Sequence, residues 1–309
     1  MYKNRILAFR VFRLGASVFA FSENPMALHR FATYRYESGL KAPHGDGLVQ
    51  DFHLLPLKAE KSISQTIGLV KCLVILYNQK VRCDMDNIKA ILIDVDDTLL
   101  DFAKCARTSM QNAARELSVV LPDGVETVFH NVNDGLWKRV ESGEITAHDI
   151  YAVRWNIVFG KFGIDFDGPL FESHFRENLK TVCEKVDGAD ELLSYLSKKY
   201  PVYIATNALF LQQKIRLEKS GILPYIKGLF VSEQIGAAKP SSEFFKYCLS
   251  SLSLPCENVV MIGDSASADI AGAKNLGIKT IWFNKKRKAT EGVPCDFAVN
   301  SLDEIKNLL

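Results

Sequence analysis

The sequence predicts an α/β protein built on a doubly wound parallel sheet, with an all-helical segment inserted after the first strand. From Lys89 onward, short apolar segments alternate with amphipathic helical patterns. Alternation of this kind is typical of a parallel sheet covered by helices on both faces. It is interrupted between about residues 102 and 187, where only helical patterns occur. An insert at that place would form a cap over the carboxyl ends of the strands.

Six apolar segments are predicted as strands: Ala90–Val95, Val202–Thr206, Gly228–Ser232, Val259–Ile262, Thr280–Phe283 and Phe297–Val299. Helices are predicted between and after them at Ala189–Lys199, Leu209–Ser220, Ser241–Leu252, Ala268–Leu276 and Leu302–Leu309. The insert contains four more helical patterns, separated by glycine- and proline-rich turn signals, at Ala106–Leu117, Val125–Glu141, Thr146–Phe162 and Leu170–Lys180. These boundaries predict an α/β core of residues 85–101 and 188–309, with a helical cap of residues 102–187.

The first 84 residues show no sustained helical or strand periodicity. Met85 lies just before the first predicted strand, so a chain that started there would hold the whole α/β part. We therefore expect residues 1–84 to be an extension outside that fold, either non-native or disordered. The alternative is a transit peptide, because the first 22 residues carry four basic side chains and no acidic one.

Composition excludes several classes of protein. The chain has 309 residues, 48% apolar and 24% charged, and a net charge of +2, which is typical of a soluble globular protein rather than a nucleic-acid binder. No apolar run is long enough to cross a membrane. Seven dispersed cysteines without a CxxC pair indicate a reduced compartment. We expect a cytoplasmic protein, or an organellar one if residues 1–84 are a transit peptide.

Acidic side chains end the first predicted strand. Asp94, Asp96, Asp97 and Thr98 follow directly on an uncharged apolar run. The carboxyl ends of parallel strands are where open α/β sheets build their sites. Two carboxylates two residues apart on extended chain face the same way, so they can share a divalent cation and divide nucleophilic from acid–base work.

Three further segments bring polar groups to the same edge. Thr206 and Asn207 follow the second predicted strand of the core, Lys239 precedes a helix, and Asp264 ends a later strand with Asp269 shortly after it. A strand-end acid cluster without function would not be accompanied by all of these groups. The pattern therefore favours a catalytic site.

These residues resemble the four motifs of the haloacid dehalogenase-like (HAD) hydrolases, beginning with Asp-x-Asp-x-Thr at Asp94–Thr98. The resemblance covers about Ile88 to Leu309 and is closest to the branch with a helical cap. Within that branch the chain is similar to 5′-nucleotidases that act on pyrimidine and non-canonical nucleoside monophosphates. The additional segments that carry this similarity are Gly135–Trp137, Glu141–Thr146, Ser232–Gly236 and Ile281–Asn284. The resemblance implies a Rossmann-like core and a Mg²⁺-dependent phosphatase.

The resemblance also implies catalytic roles. Asp94 is the expected nucleophile, which forms an aspartyl-phosphate, and Asp96 protonates the leaving alkoxide and then activates water. Mg²⁺ is expected between the Asp94 carboxylate, the main-chain carbonyl of Asp96 and Asp264. True dehalogenases need no acid at position 96, since halide leaves unprotonated. Asp96 therefore favours a phosphatase or a phosphomutase.

Other residues are expected to bind phosphate or to support the site. Thr206 and the main-chain amide of Asn207 would hold phosphoryl oxygens, and Lys239 would offset the charge of nucleophile and phosphate. Thr98 is expected to brace the loop. Asp269 either orients Lys239 or a metal-bound water, or is an ordinary acid near a helix N-terminus.

The cap is expected to select the substrate. Trp137, Tyr151 and Trp155 are candidates for stacking on a base, although aromatic residues at helical spacing are often core residues. The expected ligand is a small phosphorylated metabolite, with a nucleoside monophosphate favoured. Alternatives are a phosphosugar or phosphoglycolate phosphatase, a phosphomutase and, from another class, a non-catalytic binding protein of the same fold. The sequence does not predict the oligomeric state.

Overall fold

The computed structural model describes residues 85–309 throughout and, within the first 84 residues, the segments 9–14, 17–22 and 33–35. The chain divides into two compact units, Met1–Val74 and Ile75–Leu309. Each unit has its own sheet. The predicted role of residues 1–84 as an extension lies largely outside the described residues.

The sheet of the first unit is antiparallel and has three strands in the order β1-β2-β3. They are β1 (Phe9–Leu14), β2 (Ser17–Ser22) and β3 (Thr33–Arg35). Residues 9–14 pair in register with residues 22–17. The sequence predicted no element here. The strands coincide with short runs rich in aromatic residues and valine, which favour extended chain.

The sheet of the second unit is parallel, has six strands and lies in the order β6-β5-β4-β7-β8-β9. Its strands are β4 (Ala90–Ile93), β5 (Val202–Thr206), β6 (Gly228–Val231), β7 (Val259–Gly263), β8 (Lys279–Phe283) and β9 (Phe297–Val299). All six predicted strands are present, with ends shifted by at most two residues. The predicted α/β fold is confirmed.

The central strand β4 is buried on both faces. Ile91 and Ile93 belong to one apolar cluster, and Ala90 and Leu92 belong to another on the opposite side of the sheet. This is why the strand reads as a continuous apolar run. Chain order reverses at β4, since β5 and β6 lie on one side and β7, β8 and β9 on the other. In such sheets the ligand crevice lies outside the carboxyl ends of the strands at the reversal.

Four helices follow β4 and form the cap: α1 (Phe102–Glu116), α2 (Val125–Glu141), α3 (Ala147–Phe162) and α4 (Gly168–Leu179). Their interior is aromatic, with Phe129, Trp155 and Phe175 packed among apolar neighbours. The two connections between cap and core pair with each other, because the amide of Asp101 donates to the carbonyl of Glu184 at 2.8 Å.

The helices of the core are α5 (Ala189–Lys199), α6 (Phe210–Lys219), α7 (Ser232–Ile235), α8 (Ser242–Leu252), α9 (Gly272–Lys274) and α10 (Leu302–Ile305). The helix predicted at Ala268–Leu276 is instead a π-helical turn, Ala266–Ala271, that leads into α9. Side-chain hydrogen bonds shape this turn, since Ser265 accepts from the amide of Ala268 and Asp269 accepts from the amide of Ser265.

Within the described part of the chain, every helix is too short or too polar to cross a bilayer. The five cysteines of residues 85–309 are free thiols.

Candidate active site

Asp94 follows β4 directly and lies at the bottom of the crevice, 8% exposed. Its Oδ1 accepts a hydrogen bond from Lys239 Nζ at 2.7 Å. The ammonium of Lys239 is itself buried and also donates to the carbonyl of Ala205 at 2.6 Å and to Asp269 Oδ1 at 2.7 Å. All three ammonium hydrogens therefore have acceptors, and the lysine is fixed against the carboxylate expected to attack.

Asp264 and Asp269 complete an acidic cluster around Asp94. One carboxylate oxygen of each residue lies within 4.8 Å of the others. Burial raises the pKa of Asp94 to about 7, and the carboxylate of Asp269 adds to this while Lys239 opposes it. Burial also raises the pKa of Asp264, as do its neighbours Asp269 and Asp94. A cluster of hard oxygen donors with excess negative charge fits a divalent cation such as Mg²⁺.

Lys239 stays charged despite its burial. Loss of hydration alone would lower its pKa, but Asp269 and Asp94 outweigh that effect and the pKa is raised. Asp269 thus lies where a residue that orients the lysine would lie. Its other oxygen accepts from the amide of Ser265 at 3.0 Å.

The carboxylate of Asp96 is held by helix α6. Arg216 Nη1 donates to Asp96 Oδ1 at 2.7 Å, and Gln213 Nε2 donates to Asp96 Oδ2 at 3.0 Å. Arg216 also donates to Gln213 Oε1 at 2.9 Å, so the three side chains form one network. Arg216 and Gln213 are buried, at 1% and 0% exposed.

Arg216 and Gln213 were not predicted as site residues. The sequence signal that could have indicated them is their spacing: two polar residues, three apart, lie on the helix face that also carries the buried Leu217. Buried charged and amide side chains need partners. Nothing in the sequence identified Asp96 as that partner, because the two segments are far apart in the chain.

Thr206 and Asn207 lie at the end of β5 beside the acids. Thr206 Oγ1 accepts from the amide of Ala208 and from Gln213 Nε2, both at 3.2 Å. A hydroxyl that accepts two hydrogen bonds still has its own hydrogen to donate. The side chain of Asn207 accepts from the amide of Lys239 and donates to its carbonyl, which ties the β5 loop to the lysine.

Asp97 and Thr98 form the turn that follows Asp96, and Asp97 lines the cavity. Asp97 has a left-handed backbone, with φ of 61°, and its Oδ1 accepts from the amide of Phe102 at 3.1 Å. Thr98 is fully buried and its hydroxyl has no hydrogen-bond partner among the described residues. Any bracing by Thr98 therefore comes from its packing and from its main chain, whose amide donates to the carbonyl of Val95.

Cap and core together line a cavity of about 230 Å³, a size for a small metabolite. Trp137 and Tyr151 line it from the cap. Trp155 does not: it is 0% exposed and packs on Phe171 inside the cap, with ring centroids 4.3 Å apart. The expectation that Trp155 contacts the substrate is corrected, because this aromatic residue at helical spacing is a core residue.

Tyr151 has limited freedom at the cavity wall. Arg176 Cζ lies 4.1 Å from the centre of its ring, and Arg154 Cζ lies 5.5 Å from it. Trp137 is half-buried and makes no aromatic contact within residues 85–309. Of the three predicted aromatic residues, Trp137 is the most exposed, because Tyr151 and Trp155 are buried.

Comparison with known proteins agrees with this geometry. Residues 88–277, more than half of the chain, match the family described as haloacid dehalogenase-like hydrolase. The chain belongs to this family. The predicted resemblance, the HAD fold and the assignment as a hydrolytic enzyme are thereby confirmed.

A relative within the HAD family aligns with almost three quarters of this chain. The HAD-hydrolase YfnB of Bacillus subtilis is 32% identical over 228 residues, which are 73% of this chain and 97% of YfnB. A crystal structure of YfnB bound to magnesium superposes with a TM-score of 0.68 and 31% identity, covering 72% of this chain and 98% of YfnB.

Two further relatives above 30% identity are named pyrimidine 5′-nucleotidases. The pyrimidine 5′-nucleotidase PynA of Streptococcus pneumoniae is 33% identical over 198 residues, which are 63% of this chain and 84% of PynA. The pyrimidine 5′-nucleotidase YjjG of Escherichia coli is 31% identical over 221 residues, which are 71% of this chain and 96% of YjjG.

Proposed function

We propose that this HAD hydrolase is a Mg²⁺-dependent phosphomonoesterase that acts through a phosphorylated Asp94. The observation that carries the proposal is the contact of the buried Asp94 carboxylate with Lys239 Nζ, beside Asp264 and Asp269. Hydrolysis of a phosphate monoester requires an aligned nucleophile and positive charge close to the phosphoryl oxygens. Lys239 supplies such a charge. It binds Asp94 Oδ1, so Asp94 Oδ2 remains available to attack phosphorus.

Asp94 and Asp96, on either side of Val95, carry out the two chemical steps. In the first, Asp94 Oδ2 forms a bond to phosphorus, the ester P–O bond breaks, and Asp96 gives its proton to the leaving alkoxide. In the second, water attacks phosphorus, Asp96 takes a proton from that water, and the Asp94–phosphate bond breaks. Asp94, Asp96 through its main-chain carbonyl, and Asp264 are the residues that would hold Mg²⁺. The cation would supply positive charge against the phosphate.

Phosphate would be bound mainly by groups at the end of β5. The hydroxyl hydrogen of Thr206 is available to a phosphoryl oxygen, since its oxygen already accepts two hydrogen bonds. We assign the same role to the main-chain amide of Asn207. Ala208, which stands where glycine is usual in this motif, has no positive φ and therefore adds no backbone strain.

We further propose that the substrates are nucleoside 5′-monophosphates with pyrimidine or non-canonical bases. Two relatives above 30% identity are named pyrimidine 5′-nucleotidases. In this chain Trp137 lines the cavity, and we assign its ring to stacking on the base. A cytoplasmic location, predicted from the dispersed cysteines, is kept as part of this proposal.

The test is phosphate release from UMP, dUMP, TMP, phosphoglycolate and glucose phosphates with Mg²⁺ present. The nucleotides are expected to have the highest kcat/KM. Asp94→Asn is expected to abolish release because the amide cannot form the phosphorylated intermediate. Asp123→Asn is the matched control, since this exposed aspartate does not line the cavity and its change should keep activity.

The outcomes separate the alternatives. Turnover that persists in Asp94→Asn would contradict the mechanism. A preference for phosphoglycolate or sugar phosphates would contradict the nucleotide assignment. Transfer of phosphate within a sugar phosphate, without release, would indicate a mutase, and no turnover of any substrate would indicate a binding protein.

A further inference from the structure

Glu141 is an acidic side chain of the cap that faces the catalytic cavity. It is the last residue of α2 and lines the cavity together with the acids of the sheet edge. Its Oε2 accepts from Ser267 Oγ at 2.8 Å, and Ser267 lies in the π-helical turn of the core. The contact joins cap and core above the site. It holds the carboxylate of Glu141 at the cavity wall.

The cationic side chains of the cavity are already paired. Arg154 binds Glu172 at 2.6 Å, Arg216 binds Asp96 at 2.7 Å, and Lys239 binds Asp94 and Asp269 at 2.7 Å each. These three are the lysines and arginines that line the cavity. The positive charge of each is already offset by the carboxylate that it binds. Within residues 85–309, no lysine or arginine that lines the cavity is left over for a second anionic group of a substrate.

Two acids of the cap wall have no such partner. In the part of the chain from residue 85 onward, no ion pair includes Asp134 or Glu141. Glu141 also ends a helix of 17 residues, whose C-terminal carbonyl groups carry partial negative charge. The cap side of the cavity therefore carries negative charge that no ion pair of the described residues offsets.

We propose that Glu141 is a specificity-determining residue that excludes phosphomonoesters with a second anionic group; this inference rests on the proposed phosphatase function. A carboxylate or second phosphate on the organic part of a substrate would meet the charge of Glu141 without a free cation to balance it. A neutral hydroxyl can instead donate a hydrogen bond to the same carboxylate. The substrate class is thus phosphate esters of neutral polyols, which includes nucleosides.

The experiment compares two substrates of nearly the same size. Phosphoglycolate carries a carboxylate where 2-hydroxyethyl phosphate carries a hydroxymethyl group. Their ratio of kcat/KM is measured in the full-length protein with Mg²⁺, together with kcat/KM for UMP. Glu141→Gln keeps the shape and the hydrogen bond from Ser267 but removes the charge. We expect Glu141→Gln to raise the ratio of kcat/KM for phosphoglycolate to kcat/KM for 2-hydroxyethyl phosphate about tenfold. That is the effect of removing one close charge repulsion.

Two control variants separate charge from other effects. Glu144→Gln removes the same charge from an exposed residue that is ion-paired with Arg139 at 3.1 Å and does not line the cavity. Ser267→Ala removes the contact between cap and core but keeps the charge of Glu141. Both variants are expected to keep the ratio of the original protein. Added salt should raise that ratio in the original protein and have little effect in Glu141→Gln.

The result also separates this inference from the proposed function. If UMP is hydrolysed and Glu141→Gln leaves the ratio unchanged, the specificity role is wrong and the phosphatase stands. A ratio that rises equally in Ser267→Ala would also overturn it, because loosening of the cap would then be the cause. If UMP and both small esters are left intact by the original protein, the phosphatase proposal fails and this inference fails with it.

Discussion

At the scale of single residues, the site places four charged side chains within a few ångströms of one another, and three of them are buried. Asp94, Lys239 and Asp269 are each less than 10% exposed, and Asp264 is half-buried. Burial of unpaired charge is costly, so such groups either pair, lose their charge or bind an ion. The cluster holds three carboxylates and one ammonium, which contacts Asp94 and Asp269. The site therefore has excess negative charge, which a divalent cation would offset before a phosphate binds.

The metal-free protein is expected to lose stability as pH rises. Burial raises the pKa of Asp94 from 3.8 to about 7, and the pKa of Asp264 is raised for the same reason. Between these pH values the folded protein holds protons that the unfolded chain has released, so rising pH favours unfolding. Mg²⁺ replaces those protons, and its stabilising effect should be greater at about pH 8 than at about pH 5.

Thermal unfolding with and without MgCl₂ at both pH values checks this expectation. Asp264→Asn should reduce the increase in Tm caused by Mg²⁺ at the higher pH. An increase of the same size at both pH values would contradict the assignment of these carboxylates to the metal.

Arg216 is expected to position Asp96 for proton transfer. Arg216→Met keeps most of the side-chain volume and removes the hydrogen bond to Asp96. We expect kcat for UMP to fall about 10- to 100-fold, part of the usual contribution of general acid–base catalysis. The fall should be smaller for p-nitrophenyl phosphate, because its leaving group needs no proton.

The ratio between the two substrates is the decisive measurement. Arg216→Lys should restore part of the UMP activity, since lysine keeps the charge. Lys214→Gln, an exposed change on the same helix, should leave both rates unchanged. Equal losses on the two substrates in Arg216→Met would mean that Arg216 serves only the fold.

At the scale of elements, the cap is held together by aromatic packing around a buried ion pair. Arg154 on α3 donates two hydrogen bonds to Glu172 on α4, at 3.1 and 2.6 Å, and one to Asn133 on α2 at 2.7 Å. Its guanidinium lies 5.1 Å from the ring centres of Phe129 and Phe175. One side chain thus joins three of the four cap helices.

Removing this ion pair should destabilise the protein more than removing an exposed one. Arg154→Ala leaves the Glu172 carboxylate buried without a partner, and we expect a loss of about 3 kcal/mol or more in the free energy of unfolding. Arg107→Ala removes an exposed pair with Glu126, 2.6 Å apart, and should cost less than about 1 kcal/mol. Urea unfolding of the two variants measures the difference; similar losses would argue against the packing described for Arg154.

At the scale of the whole molecule, all proposed catalytic groups belong to the second unit. They lie between Asp94 and Asp269, and its core already includes Met85 at 3% exposed. The proposed catalytic groups and the described part of the core therefore lie within residues 85–309.

A protein that begins at Met85 is accordingly predicted to fold and to keep the kcat/KM of the full chain for UMP. Steady-state kinetics and thermal unfolding of the two proteins check this. A marked fall in kcat/KM, with an unchanged Tm, would show that the first 84 residues contribute to the site and are not an extension outside it.

The sequence by itself determined the α/β fold, the helical cap and the identity of the acids. Parallel strands buried on both faces leave continuous apolar runs, and acids that end such runs stand out from them. Asp94, Asp96, Thr206, Lys239 and Asp264 could be found in this way, because each follows or precedes a recognisable element. Their detection depends on local pattern alone.

Only the tertiary structure decided how these groups are held and which others join them. Arg216 and Gln213 bind Asp96 from more than a hundred positions away. Glu141 of the cap accepts a hydrogen bond from Ser267 of the core, and Trp155 packs inside the cap instead of lining the cavity. Helical periodicity shows that a residue lies on one face of its helix. It does not show what packs against that face, because that depends on how the elements dock.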